Sequence, residues 1–333
     1  GLLLDAVKET LNGWNAGALD AIAARGGALP RPPGKLSGGT YLIAERRDGN
    51  IHIEQDIVTG VLDCPEKDHA CNLGIPVAAA LAREWGIPAY TTDPVILDEF
   101  APEAELSGYA AIVRRSRSHA LSVRAAARRA ADIVGRPMED LNLVVAHLGG
   151  GITVAAVRKG KMIDNNMGLL GSGPFSPQRA GQLPIEELID LCYSGQFTHD
   201  ALIVELAKRG GLQSYLGEHR MEVIEERVHG GDEHAKRVVD AMVYQIVKEI
   251  GAMYAALDCD VEAIVLTGGL TKSKLVRNAL RRRVERLAPV MVFEGSLDMA
   301  ALAAGTVDVL AGRIEPQRYQ LPQKISKSER MEP

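Results

Sequence analysis

Residues 141–151 read LNLVVAHLGGG and residues 263–269 read AIVLTGG, and these two stretches decide the fold class. Each is a continuous run of Leu, Val, Ile and Ala, the pattern of a strand buried on both faces rather than the alternation of a half-exposed one. Each ends in a glycine cluster, where the missing Cβ lets backbone amides approach a phosphate or a ribose closely. Strand-end glycines serve tight turns more often than ligands, so neither signal decides anything singly. Together, on two buried strands of one chain, they point to two walls of a nucleotide site. Working outward, GITVAAVRKGKMID predicts a hairpin turning at Lys159-Gly160, and KSKLVRNALRRRVERLA predicts the helix after the second strand. Helices are also expected over residues 76–85, 118–135, 184–209 and 232–257, with PAYTTDPVIL a strand running into a loop. After a Pro/Gly-rich loop over residues 26–39, TYLIAE and NIHIEQDIVTGVL read as strands or extended segments. The opening GLLLDAVKETLNGW has helical periodicity, with Leu3, Leu4, Val7 and Leu11 on one face. Strands alternating with helices make an α/β chain.

The bulk numbers set the class. At 333 residues the chain exceeds one ordinary core, which predicts two domains. Aromatic residues are only 4%, while alanine and glycine abound, favouring close helix-on-sheet layers over an all-β sandwich. A net charge of -5 supplies no basic field for nucleic acid. Cys64, Cys71, Cys192 and Cys259 lack metal-ligand spacing and read as reduced thiols of a cytosolic protein. No apolar run is long enough to span a bilayer, so no membrane partner is expected. The stretch beyond about residue 313 is polar and Pro-containing and is expected to be loosely held.

The chemistry concentrates in HLGGGITVAAVRKGKMIDNNMGLLGSGPFSPQRAGQLP, residues 147–184. HLGGG, a hairpin with RKGKMIDNN, and then GSGPFSPQRAG closely resemble the signature of the acetate/butyrate carboxylate kinase family, in its butyrate kinase form. GPFSP is the element that sets this form apart from the acetate kinase one. ARGG (24–27), DHACNLG (68–74), DPVILDE (93–99) and RRSRSHAL (114–121) resemble that family in the same order, so the likeness runs from residue 1 to about 312. It implies an actin-like ATPase fold, a duplicated ribonuclease-H-like α/β architecture. The implied first domain is residues 1–93 plus about 299–312, the second 94–298, and 313–333 a polar tail. It implies ATP/ADP and Mg²⁺, a small carboxylate substrate, and a homodimer or higher homo-oligomer. The implied reaction is reversible transfer of the γ-phosphoryl group to a short- or branched-chain, butyrate-like carboxylate, giving an acyl phosphate and ADP. An ionised carboxylate needs no general base. It needs its repulsion from the triphosphate cancelled and in-line positioning.

Carried over residue by residue, Arg179 in SPQRAG matches the arginine facing the transferring phosphoryl group, whose fork suits multi-oxygen anions. Arg25 in ARGG matches the arginine for the substrate carboxylate, although RGG also stands among turn residues. His147 matches the histidine that donates to transition-state oxygens. Asp93 matches an acid near Mg²⁺, although Asp-Pro is also a turn starter. Gly149, Gly150 and Gly151 match a phosphate loop, and Thr267, Gly268 and Gly269 an adenosine loop. His119, His69 and Asn72 sit in matching motifs with supporting or structural roles. Arg114, Arg115 and Arg117 are left out, since charge runs are usually solvated faces.

The pattern departs in three places. Nothing here matches the family's opening strand and Asn-x-Gly-Ser-x-Ser hairpin, whether omitted, truncated or naturally lost, and the first domain's sheet is then expected to show an unpaired edge. Asp298 stands where a Mg²⁺-associated glutamate is usual, and its shorter side chain favours a water-mediated contact. Gln178 replaces the glutamate usual before the arginine. Two other functions stay open: an acetate or propionate kinase, and a non-catalytic nucleotide-binding relative.

Overall fold

A computed structural model describes residues 2–10, 19–32, 34–63, 72–168 and 170–322. Cys64, His69, Cys71 and Leu11 lie outside them. The described chain forms two compact units, Gly1–Asp98 with Asp298–Pro333, and Glu99–Leu297.

The first unit opens with α1 (Leu2–Thr10) and β1 (Ile22–Ala24), then β2 (Thr40–Arg47), β3 (Asn50–Ile53), α2 (Gln55–Leu62), α3 (Gly74–Trp85) and β4 (Ala89–Thr92). The chain returns to this unit as α12 (Asp298–Leu310). Its sheet has the order β1-β4-β2-β3, parallel between β1 and β4 and antiparallel elsewhere. QDIVTGVL, expected to be extended, is the helix α2. Ile57 and Val61, one turn apart, are both buried in the core with Ile75, Ala78 and Ala82 of α3, a helical spacing that a short apolar run does not announce. The expectation of a loosely held stretch beyond residue 313 is corrected for its described part, up to residue 322, and the rest lies outside the described residues. Gln317 exchanges backbone hydrogen bonds with Thr40 and Leu42, Tyr319 is buried against the same core, and Arg318 pairs with Glu45 and Glu54.

The second unit contains α4 (Pro102–Glu105), α5 (Ala120–Val134), β5 (Asn142–Leu148), β6 (Ile152–Arg158), β7 (Lys161–Asn165), α6 (Ile185–Tyr193), α7 (His199–Lys208), α8 (Gly211–Leu216), α9 (Met221–His229), α10 (Glu233–Ala256), β8 (Ala263–Gly268), α11 (Lys274–Val284) and β9 (Val290–Glu294). The helical stretch expected over residues 184–209 divides into α6 and α7. Gly195 takes a left-handed φ of +75° between them, and Thr198 caps the second helix through Ala201 N–H. The five-stranded sheet runs β7-β6-β5-β8-β9. Val144, Ala146 and Leu148 of β5 and Ile264 and Leu266 of β8 share a core with Val239, Met242, Ile246 and Ile250 of α10. Side chains alternate along a strand, which leaves His147 and Thr267 for the opposite face. Helix α5 packs against β5 and β8. Lys159 and Gly160, both at positive φ, close the β6–β7 hairpin where the sequence places its turn.

Candidate active site

The second unit gathers its candidates at the carboxyl ends of β5 and β8. His147 lies beside Thr267 in the parallel register and opposite Thr153 of β6, and all three are buried. His119, at the start of α5, stacks on the His147 ring with centroids 4.4 Å apart and 27° between planes. Its Nδ1 lies 2.8 Å from Thr153 Oγ1. The supporting role expected of His119 therefore has a geometry: it walls the His147 imidazole, and Thr153 orients the wall.

The glycine triplet after β5 makes room for the site's own side chains. None of the three glycines has a positive φ, so conformational freedom is not what selects them. A Cβ on Gly149 would lie 3.2 Å from His147 Nε2, and one on Gly150 would lie 3.2 Å from Gln178 Oε1. On Gly151 it would overlap the Arg179 guanidinium. The loop thus packs directly against His147, Gln178 and Arg179.

Arg179 occupies a tight turn beneath that loop. Ser176 N–H donates to the Arg179 carbonyl at 3.0 Å, and Arg179 N–H donates to Ser176 Oγ at 3.1 Å. Ser176 Oγ donates in turn to the Gly150 carbonyl at 2.6 Å. The Arg179 guanidinium donates to the Gly168 carbonyl and has no carboxylate partner among the described residues. Burial pulls its pKa down from the ordinary guanidinium value, yet an arginine stays charged. Asn166, buried, holds the segment before Gly168 onto β6, accepting from Val154 N–H at 2.6 Å and donating to the Ile152 carbonyl at 3.0 Å. From below, Gln245 on α10 accepts Phe175 N–H at 3.1 Å.

The second glycine pair works differently. Gly268 has φ +96°, and a Cβ there would overlap the Leu148 carbonyl. Its N–H donates to the Gly295 carbonyl at 2.9 Å. Gly269 borders open space, with no atom within 4 Å of where its Cβ would stand. A close backbone turn followed by an open glycine fits a nucleotide approaching the ends of parallel strands. Arg114, from the arginine run left out of the site, binds Asp164 and the Ala104 carbonyl at 2.7 Å each, so it clamps structure rather than facing water.

The first unit holds the remaining candidates. Arg25 follows β1 and Asp93 follows the parallel β4, so both stand at the carboxyl ends of paired strands. Gly26 keeps these ends close, since its Cβ would lie 2.6 Å from Thr91 Oγ1 and 3.1 Å from Pro94 Cβ. Asp93 is 2% exposed with φ +44°, an unusual conformation for a residue before proline. Its Oδ1 accepts Gly39 N–H at 2.8 Å, while its own N–H donates to the Gly39 carbonyl at 2.9 Å. The carboxylate is therefore buried and tied to the backbone of Gly39. Asp298, the first residue of α12, pairs with Arg25 at 3.5 Å. Buried Asn72 accepts Ala28 N–H at 2.7 Å, a structural role beneath the ARGG segment.

Residues 104–296, more than half of the chain and nearly all of the second unit, match the pattern of the Acetokinase family. The chain belongs to the acetokinase family. Solved structures agree in fold. The acetate kinase of Porphyromonas gingivalis superposes with a TM-score of 0.75 at 19% identity, over 92% of this chain and 84% of that one. A propionate kinase from Francisella tularensis gives 0.69 at 19% identity, over 91% and 83%. The acetate kinase of Entamoeba histolytica gives 0.71 at 14% identity, over 91% and 85%. The fold is therefore the actin-like ATPase fold of acetate kinases. The resemblance to the butyrate kinase branch reduces here to the family as a whole.

Within that family frame, Asp93 and Asp298 supply hard oxygen donors, the kind that Mg²⁺ takes alongside phosphate oxygens and water. Among the described residues no three His, Cys, Asp or Glu side chains cluster as a protein-only metal cage. Ser176, Asn166, Thr153 and Gln245 escaped the sequence reading. Ser-Pro within GPFSP signals a turn, but nothing local announces the contact of Ser176 with Gly150.

Proposed function

We propose that the protein transfers the γ-phosphoryl group of ATP to a short-chain carboxylate. A carboxylate oxygen attacks the γ-phosphorus, the bond to the β–γ bridging oxygen breaks, its electron pair leaves on ADP, and an acyl phosphate forms. The observation that carries this reading is the partly desolvated Arg179 guanidinium, seated against the glycine loop with only a carbonyl for a partner among the described residues. Such a cation favours an anion whose charge builds on several oxygens. His147 is the neighbouring donor, Gly268 and Gly269 border the nucleotide, and Arg25 takes the carboxylate. Asp93 and Asp298 are the acids proposed for Mg²⁺, which when bound offsets the charge of the phosphates.

Acetate or propionate is the first substrate class to test, since the kinases sharing this fold carry those names. A four- or five-carbon acid is the second, favoured by GPFSP before the arginine. The same proposal includes a homodimer or larger homo-oligomer in the cytosol, with sedimentation velocity the check on assembly.

The test is hydroxamate trapping with ATP, Mg²⁺ and acids from acetate to isovalerate, on the wild type and on Arg179→Ala. Activity is expected to peak at the shortest acids and to fall about 10³-fold in the variant. One methylene of mismatch changes kcat/KM by roughly 10–200-fold, so a butyrate preference would stand out. ATP binding without turnover would replace the kinase with a non-catalytic nucleotide-binding relative.

A further inference from the structure

We propose that Ser176 is a positioning residue that locks the glycine loop and the Arg179 turn into one body, so that a single hydroxyl sets both halves of the phosphoryl-binding surface. This rests on the carboxylate kinase reading for its kinetic consequence, and on hydrogen bonds alone for its geometry.

A serine hydroxyl has one proton and two lone pairs. In Ser176 the proton goes to the Gly150 carbonyl at 2.6 Å, and a lone pair accepts Arg179 N–H at 3.1 Å. The residue is 1% exposed, so water cannot substitute for either partner. Its backbone is engaged as well: Ser176 N–H reaches the Arg179 carbonyl at 3.0 Å, and Leu212 N–H reaches the Ser176 carbonyl at 3.1 Å. That second bond needs Gly211, at φ +61°, because a Cβ there would overlap the Ser176 carbonyl. Ser176 is therefore anchored to α8 on one side and free to do only one thing on the other.

What it does follows from peptide planarity. The Gly150 carbonyl and the Gly151 N–H belong to one planar trans peptide and point in opposite directions. Holding the carbonyl toward Ser176 aims the Gly151 N–H away from it. The same hydroxyl fixes the Arg179 backbone, and the Arg179 side chain lies where Gly151 lacks a Cβ. A loop amide and a guanidinium are thus indexed to one atom, Ser176 Oγ. Donors so preorganised act on the transition state more than on the ground state, so their loss falls on kcat.

The experiment is a double-mutant cycle of Ser176→Ala and Arg179→Ala in the full chain, with hydrogen exchange measured on the same proteins. Ser176→Ala is expected to lower kcat about 10–100-fold, the range for stranding a buried donor and acceptor, with both KM values changed less than about three-fold. In the Arg179→Ala background the same substitution is expected to cost almost nothing more, because the two act as a unit. Amides in 149–151 and 176–180 are expected to lose protection together. Independent, additive losses, an unchanged kcat, or loss of protection in only one segment would each overturn the proposal. Should Ser176→Ala not fold, Ser176→Cys, with its weak S–H donor, enters the same cycle with the same expected coupling. A wild type without turnover would sink the kinase reading, and the exchange result would then decide this inference by itself.

Discussion

Arg179, in a turn packed against the glycine loop after β5, and Arg25, directly after β1, are both candidate anion-binding arginines, yet the two units treat them differently. Arg179 is desolvated, its guanidinium rests on the Gly168 carbonyl, and its backbone is tied into a hydrogen-bonded turn. The side chain of Arg25 is 51% exposed and has an acid, Asp298, at 3.5 Å. A partly buried cation with no carboxylate partner among the described residues is costly to the fold and correspondingly responsive to an arriving anion. A half-exposed arginine beside an acid is cheap to keep, and it must exchange that partner before holding a carboxylate. The difference matches the proposed chemistry: charge redistributes on the phosphoryl group during the reaction, while the substrate carboxylate is merely held.

The largest effect should come from breaking the seat of Arg179 without touching the arginine. Gly151→Ala forces a Cβ onto the guanidinium and to within 2.9 Å of the Gly168 carbonyl. The expected outcome is a fall in kcat of about 10²–10³-fold, since displacement of a preorganised donor by an ångström has this size, with a stability loss of about 1–3 kcal/mol from overpacking. Steady-state kinetics beside thermal unfolding separate the two. Near-normal activity would mean that the guanidinium works from some other position. Arg25→Ala should act more mildly and on a different constant. The KM for the acid is expected to rise about 10–100-fold, the range for one charge-assisted hydrogen bond, with the ATP KM changed less than about three-fold. A fall in kcat instead would make the two arginines equivalent and dissolve the contrast.

How far the sequence anticipates this arrangement depends on the distance over which each contact acts. The β5 and β8 runs and their glycines are legible because burial on both faces writes itself into consecutive residues. The Lys159-Gly160 turn is legible for the same local reason. QDIVTGVL is not, since eight residues with mixed apolar spacing suit a strand or a helix until α3 is there to pack against. The tail is not, because Gln317 and Tyr319 find partners hundreds of residues upstream. Within the site, the residue types announce arginine, histidine and glycine chemistry, but the reason for the triplet is tertiary. Gly149, Gly150 and Gly151 face His147, Gln178 and Arg179, and only the folded turn brings the last two there. The pairing of Arg25 with Asp298 likewise joins opposite ends of the chain.

The smallest effect tests whether the second unit tolerates unbalanced, partly buried charge in general. Glu249 on α10 is also desolvated, and burial, then the neighbouring Asp164, raise its pKa above the ordinary carboxylate value against the opposing pull of Arg114 and Lys248. The same cause acts on Arg179 with the opposite sign, each group being pushed toward its neutral form. For Arg179 the shift leaves the charge intact, because guanidinium starts so far above neutrality. For Glu249 it has a consequence for folding. The folded state binds the Glu249 proton more tightly than the unfolded chain does. Its favourable contribution is therefore complete below the unfolded value near 4.3, and it is lost as pH rises through the raised folded value. At pH 7 the ionised, half-buried carboxylate is a net cost that Glu249→Gln removes. The expected result is a Tm about 1–3 °C above wild type at pH 7, shrinking to nothing as the pH drops below the ordinary carboxylate range. An amide that lowers Tm at pH 7 would show instead that Arg114 and Lys248 already compensate the acid. Arg179 would then be the exception in its unit rather than the rule, and its lack of a carboxylate partner among the described residues would point all the more narrowly to the phosphoryl group.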